Sequence, residues 1–175
     1  MRGTTHSLGG AAAVLAVALP FSPPFLSPPS AKMGVVLGAA VLGGLLPDID
    51  HSGSKLGRKV KPVSSVIQHT VGHRTFTHSL LFLLLVAGGC AWLGLQGPLS
   101  SSPELRWSAL GVVVGCLSHL ILDAMTVSGV PLLLPFSDHA FRFPLHVKTG
   151  GMGEVAVTVG LVVVLSLLVL AVKGG

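Results

Sequence analysis

His119 and Asp123 stand four residues apart in the stretch Gly-Cys-Leu-Ser-His-Leu-Ile-Leu-Asp, inside an otherwise apolar run. Helical residues at i and i+4 share a face, so this imidazole and this carboxylate can address one ion. An ionisable side chain within such a run is costly and marks a functional site by default. The bland alternative is an internal His–Asp hydrogen bond that only stabilises the fold.

Three other segments carry compatible chemistry. Pro47-Asp48-Ile49-Asp50-His51 follows an apolar run and sets two carboxylates where the chain re-enters a polar zone. Paired aspartates suit a hard or borderline cation and can bridge two ions; as ordinary turn residues, Asp and Pro also suit an exposed turn. Gly72-His73-Arg74-Thr75-Phe76-Thr77-His78-Ser79 opens the next apolar run. Thr75 or Thr77 can cap the helix there, which puts His78 in its first turn. His73 is a candidate ligand or proton donor, and Arg74 suits a bidentate grip on phosphate or carboxylate, or simply snorkels to the interface. His6 precedes the first apolar run and can approach the cluster from a fourth direction. His69, Asp138, His139 and His146 read as loop residues, and Glu154 either anchors the last helix or reaches the site.

The elements that must position these residues are membrane helices. The chain has 175 residues, of which 50% are hydrophobic and 10% charged, and its mean hydropathy is +0.81. A soluble domain carries roughly 25% charged residues, so this chain lacks the polar surface to face water all round. Its 12 prolines and 23 glycines are also more at home in membrane helices. A spanning helix needs roughly 20 mostly apolar residues. The expected fold is an all-α polytopic bundle, one membrane-embedded domain over residues 1–175, with about five short spans. These run from Leu8 to about Phe25, Met33 to Pro47, Phe76 to Leu95, Ser108 to about Val127, and Val155 to Val172. Arg2 before an apolar segment, with small residues near Ser30 and Ala31, also reads as a secretory signal. No soluble mature domain follows it, which favours a span.

Five spans place the N-terminus, the loop from Asp48 to Thr75 and the loop from Ser128 to Glu154 on one side. Eight of the 11 Lys and Arg residues then lie there, with Lys32, Arg106 and Lys173 opposite. The positive-inside bias makes the first side cytoplasmic, with the C-terminus outside. This orientation, drawn from Lys and Arg alone, also brings His6, Asp48, Asp50, His78, His119 and Asp123 to one membrane level on the cytoplasmic side.

The net charge of +5 does not point to nucleic acid. Lys55, Arg58, Lys59 and Lys61 crowd one loop between apolar runs without interleaved aromatics, as expected of a segment facing anionic lipid head groups. Cys90 and Cys116 both lie in apolar runs, too far apart for a CxxC metal site, and read as small buried residues.

These residues resemble the YdjM-type membrane-bound metal-dependent hydrolases of bacteria and archaea. The resemblance rests on Thr5-His6, Leu46-Pro47-Asp48-Ile49-Asp50-His51, His73-Arg74 with Thr77-His78-Ser79, and Ser118-His119-Leu120-Ile121-Leu122-Asp123. It continues through Thr126, Gly129 and Leu134-Pro135-Phe136, covering about three quarters of the chain in order. It implies a small inner-membrane protein with hydrolase activity on a poorly defined substrate. The last span has no comparable motif.

The expected ligands are His6, Asp48, Asp50, His78, His119 and Asp123. Six exceed the needs of one tetrahedral zinc, so the expectation is two divalent ions bridged by an Asp, with zinc or manganese favoured. Asp50, His73 and Arg74 are the expected catalytic residues, His73 protonating a leaving group and Arg74 neutralising phosphoryl charge. A site at membrane level suits an amphiphilic phosphoester, with membrane lipids as partners. The competing class is a small transporter or proton-coupled protein using the same cluster. A transport pathway needs polar residues in both halves of the bilayer, and the outer halves of these spans are nearly all apolar.

Overall fold

In the computed structural model, which describes residues 1–21, 26, 31–70 and 76–174, the chain is all-helical. Six α-helices follow one another: α1 Gly3–Ala18, α2 Ala31–Leu45, α3 Lys61–Thr70, α4 Leu80–Leu95, α5 Pro103–Ala124 and α6 Met152–Gly174. The described residues contain no strand, only isolated bridges that pin the loop between α5 and α6 (Thr126 with Val147, Val130 with Phe141).

Local chemistry explains the helix ends. α1 stops at Ala18, two residues before Pro20, whose nitrogen cannot donate to a continuing helix. α2 gives way at Pro47 to a single 3-10 turn, Pro47–Asp50, which presents Asp48 and Asp50 at the helix end. The Ser79 hydroxyl caps α4 by accepting from Phe82 N at 3.1 Å, and Ser102 caps α5 by accepting from Leu105 N at 3.2 Å. The cap expected at Thr75 or Thr77 is therefore supplied by Ser79. Thr77 turns inward instead, and Thr75 lies outside the described residues.

Among the described residues, three helices are long and apolar enough to cross a membrane: Gly3–Phe21 (α1 with its terminal 3-10 turn), Pro103–Ala124 and Met152–Val172. The other two expected spans, α2 and α4, are apolar but only 15 and 16 residues long. At 1.5 Å per residue they reach about 22–24 Å, short of the roughly 30 Å hydrocarbon core. The all-helical membrane class stands, with three helices of spanning length and two shorter apolar helices among the described residues. α3 lies inside what the sequence suggests is a loop; its ten residues are too few to span.

The centre of the bundle is α1, α2 and α5, brought into backbone contact by glycine. A Cβ at Gly115 on α5 would strike the Ala40 carbonyl and come within 2.8 Å of Gly44 N, both on α2. A Cβ at Gly44 would meet the His6 carbonyl of α1 at 2.6 Å. Small residues of this kind let membrane helices approach closely. α4 packs on α5, and α6 packs on α1. At the end away from α2's Pro47 turn, Val14, Leu15, Ala18, Leu26, Val36 and Ala40 form the apolar core.

Candidate metal centre

Four segments end or begin at one level of the bundle and carry polar side chains into it. His6 lies in the first turns of α1, rather than ahead of the helix as the sequence suggests. Asp48 and Asp50 sit on the turn after α2, Thr77 and His78 on a 3-10 turn before α4, and His119 and Asp123 near the end of α5. His6, His78 and His119 are fully buried, as are Asp50 and, at 1% exposure, Asp123. Such a concentration of ionisable groups in an apolar bundle needs a compensating interaction.

The geometry supplies one. His119 Nδ1 donates to the Gly44 carbonyl at 2.7 Å, which fixes the tautomer and leaves Nε2 without a proton. Thr77 Oγ1 donates to Asp50 Oδ2 at 2.7 Å, so the hydroxyl has only acceptor capacity left for His78 Nδ1 at 3.2 Å. His78 Nδ1 therefore carries the proton of the neutral ring, and its Nε2 has the lone pair. The two bare nitrogens lie 3.2 Å apart. Two lone pairs so placed repel each other unless the rings share a proton or a metal ion.

Carboxylates surround these nitrogens. Asp123 Oδ2 is 3.7 Å from His119 Nε2 and 3.8 Å from His78 Nε2. Asp48 Oδ1 is 3.9 Å and 3.8 Å from the same two atoms. His6 stacks on His119 with ring centroids 3.6 Å apart, and its Nε2 lies 3.2 Å from Asp123 Oδ1. The α-amino group of Met1 also contacts Asp123 Oδ1. Buried His6 Nδ1 has no hydrogen-bond partner among the described residues. Two overlapping groups of donor atoms, His6/His119/Asp123 and Asp48/His78/His119, are each close enough to hold a metal ion. Imidazole and carboxylate donors fit zinc, manganese or iron(II).

Of the six expected ligands, the structure brings five together: His6, Asp48, His78, His119 and Asp123. Asp50 is placed differently. Its carboxylate lies 3.5 Å from His78 Nδ1, on the side of the ring away from Nε2. It thus orients the His78 ring through Thr77, the arrangement of a carboxylate–histidine pair. His73 and Arg74 lie outside the described residues. His69 is exposed and bonds back to the Ser65 carbonyl, while Asp138, His139 and His146 are exposed in the loop before α6. His51 is half-buried just beyond the turn.

Glu154 is a structural anchor. Its Oε1 accepts from Arg2 N and from Thr5 Oγ1 (3.1 Å), and its Oε2 accepts from Gly150 N at 2.6 Å. Thr5 also bonds Thr158 on α6 at 3.0 Å, so one polar cluster ties α6 to the start of α1. Sequence reasoning misses the Gly44 carbonyl altogether, because a backbone acceptor leaves no trace in residue type. Thr77 is visible beside His78, but its spacing equally suits a cap.

The chain matches the protein family described as YdjM inner membrane protein over residues 1–174. It is 40% identical to the uncharacterized protein YvsG of Bacillus subtilis, over 92% of this chain and 89% of that protein. It is 39% identical to the inner membrane protein YdjM of Escherichia coli, over 66% of this chain and 57% of that protein. It is 32% identical to the inner membrane protein YbcI of Escherichia coli, over 64% of this chain and 60% of that protein. The matched stretches thus span less than two thirds of the two Escherichia coli proteins. No solved structure matches the chain. With apolar helices of spanning length and a family match along nearly all its residues, this chain belongs to the YdjM family of inner membrane proteins.

Proposed function

We propose that this chain is a membrane-bound metal-dependent hydrolase that cleaves a phosphoester of an amphiphile at the cytoplasmic face of the inner membrane. The observation that carries the reading is the convergence of five donor residues from four chain segments around the facing Nε2 atoms of His78 and His119. Both donor groups share His119, whose Nδ1 is committed to the Gly44 carbonyl, so its Nε2 is left for one ion. A single divalent ion held by His6, Asp48, His78, His119 and Asp123 is therefore the simplest occupant, and a second requires Asp48 or Asp123 to bridge. Zinc and manganese are the favoured metals. Such an ion would supply Lewis-acid polarisation of a substrate oxygen.

The chain's own residues do the rest. The Asp50–Thr77–His78 relay and the Gly44–His119 bond hold two ligand rings in register. His73 and Arg74, close before Thr77 in sequence, are assigned proton donation to the leaving group and a grip on the phosphoryl oxygens. The excess of Lys and Arg on the segments at the site's end supports a cytoplasmic location for it, with the C-terminus outside. A site at a helix-end level of a membrane bundle favours a substrate with a polar head and an apolar tail.

The apolar core beyond the site favours an enzyme over a transporter. Val14, Leu15, Ala18 and Val36 close the bundle on the side where a conduit would need polar groups. Metal-dependent release of phosphate or a phosphorylated head group from a lipid panel, in detergent, tests the proposal. Metal-replete protein that hydrolyses nothing, yet carries ions or protons across proteoliposomes, would replace it with the transport reading.

A further inference from the structure

The segment leading into α3 and α3 itself are not used by the metal centre, yet they touch it. Lys55, Arg58, Lys59 and Lys61 are all exposed. On α3, Val63, Val66 and Ile67 follow one another at i, i+3 and i+4, and Val63 and Val66 are 54% and 63% exposed. Ser64, on another side of α3, is fully buried, and Gln68 accepts from Ser52 N at 3.2 Å. The helix thus turns polar residues onto the protein and valines outward, with cations clustered at its N-terminal end. That inverts the pattern of a soluble surface helix, where the apolar stripe faces the core. It matches a helix lying in the plane of a membrane interface beside anionic head groups.

The same segment braces the turn that carries two site residues. α3 packs against Pro47–Asp50. Ser54 donates through its hydroxyl to the Asp48 carbonyl at 2.8 Å and through its N–H to the His51 carbonyl at 2.9 Å. A Cβ at Gly57 would strike that His51 carbonyl, so the basic loop lies directly on the turn.

We propose that α3, with the Lys55–Lys61 segment, is an in-plane docking element for an anionic bilayer surface, and that its seating there steadies the turn bearing Asp48 and Asp50. The opposite signs of the four cations and an anionic leaflet, together with the outward valines, select a bilayer over an acidic protein segment. The docking does not depend on whether the site hydrolyses anything.

The test uses the full chain carrying Trp92→Phe and Trp107→Phe, with Val63→Trp as a reporter and Val66→Trp as a second. Each protein is reconstituted in phosphatidylcholine vesicles with and without phosphatidylglycerol. The reporter emission should shift to the blue and be quenched by brominated lipid in the anionic vesicles. Removing cations as Lys59→Gln and Lys61→Gln should lower the docked-to-undocked ratio roughly fivefold per charge. Amide exchange at Ile49 and His51, whose N–H groups bond the Leu46 and Asp48 carbonyls, should be slower in the anionic vesicles. Hydrated emission untouched by brominated lipid, from both reporters and in both vesicle types, overturns the docking. Equal exchange at the turn in both vesicle types overturns the steadying.

Discussion

The Nε2 atoms of His78 and His119 face each other at 3.2 Å, while the Nδ1 of each ring bonds a different partner. His119 is fixed by the Gly44 carbonyl of α2 and His78 by the Thr77 hydroxyl, which is itself oriented by Asp50. Both tautomers are set from behind, so both lone pairs point into the same space. Asp48 and Asp123 approach that space from two more directions.

Thr77→Val keeps the shape of the side chain and removes the hydroxyl. His78 Nδ1 then loses the Thr77 hydroxyl, and buried Asp50 loses a donor. Metal affinity should fall about 10–100-fold, the usual cost of losing a group that orients a ligand. Chelator competition measures this, and Thr77→Ser should restore affinity. An unchanged affinity in the Val variant would remove the relay from the account.

Gly115→Ala drives a methyl into α2 beside Gly44. Overpacking of this kind costs about 1–3 kcal/mol. It should also weaken metal binding, because α2 carries the carbonyl that holds His119. Gly38→Ala is the control: a Cβ there meets nothing within 4 Å. Thermal unfolding in detergent and chelator competition should separate the two variants, and equal behaviour would refute the close-packing argument.

The sequence makes the site more legible than the fold. The four-residue spacing of His119 and Asp123, and the ends of the apolar runs at His6, Asp48 and His78, suffice to bring the five donor residues to one level. The place of Asp50 is hidden, because a 3-10 turn decides which of two nearby carboxylates faces the bare nitrogens. α3 is hidden by brevity and by its flanking charge, although Pro62 in its first turn and the spacing of Val63, Val66 and Ile67 mark a helix. The short reach of α2 and α4 follows from the Pro47 turn and the Ser79 cap, which cut each apolar run at the site end.

Glu154→Gln tests whether α6 is an anchor or part of the centre. Glu154 accepts hydrogen bonds from Arg2, Thr5 and Gly150, and an amide cannot satisfy all three donors as a carboxylate does. The variant should lose about 1–3 kcal/mol of stability with metal content intact. Loss of metal at unchanged stability would instead make Glu154 a member of the site.

The most direct test of the central claim is the metal content of the full chain purified in detergent, beside His119→Ala and Asp123→Ala. One tightly held divalent ion per parent chain is expected, and both variants should lose it with helicity retained. A parent that takes up no ion from metal-replete buffer, or variants that both keep it, would rule out a metal centre at these residues.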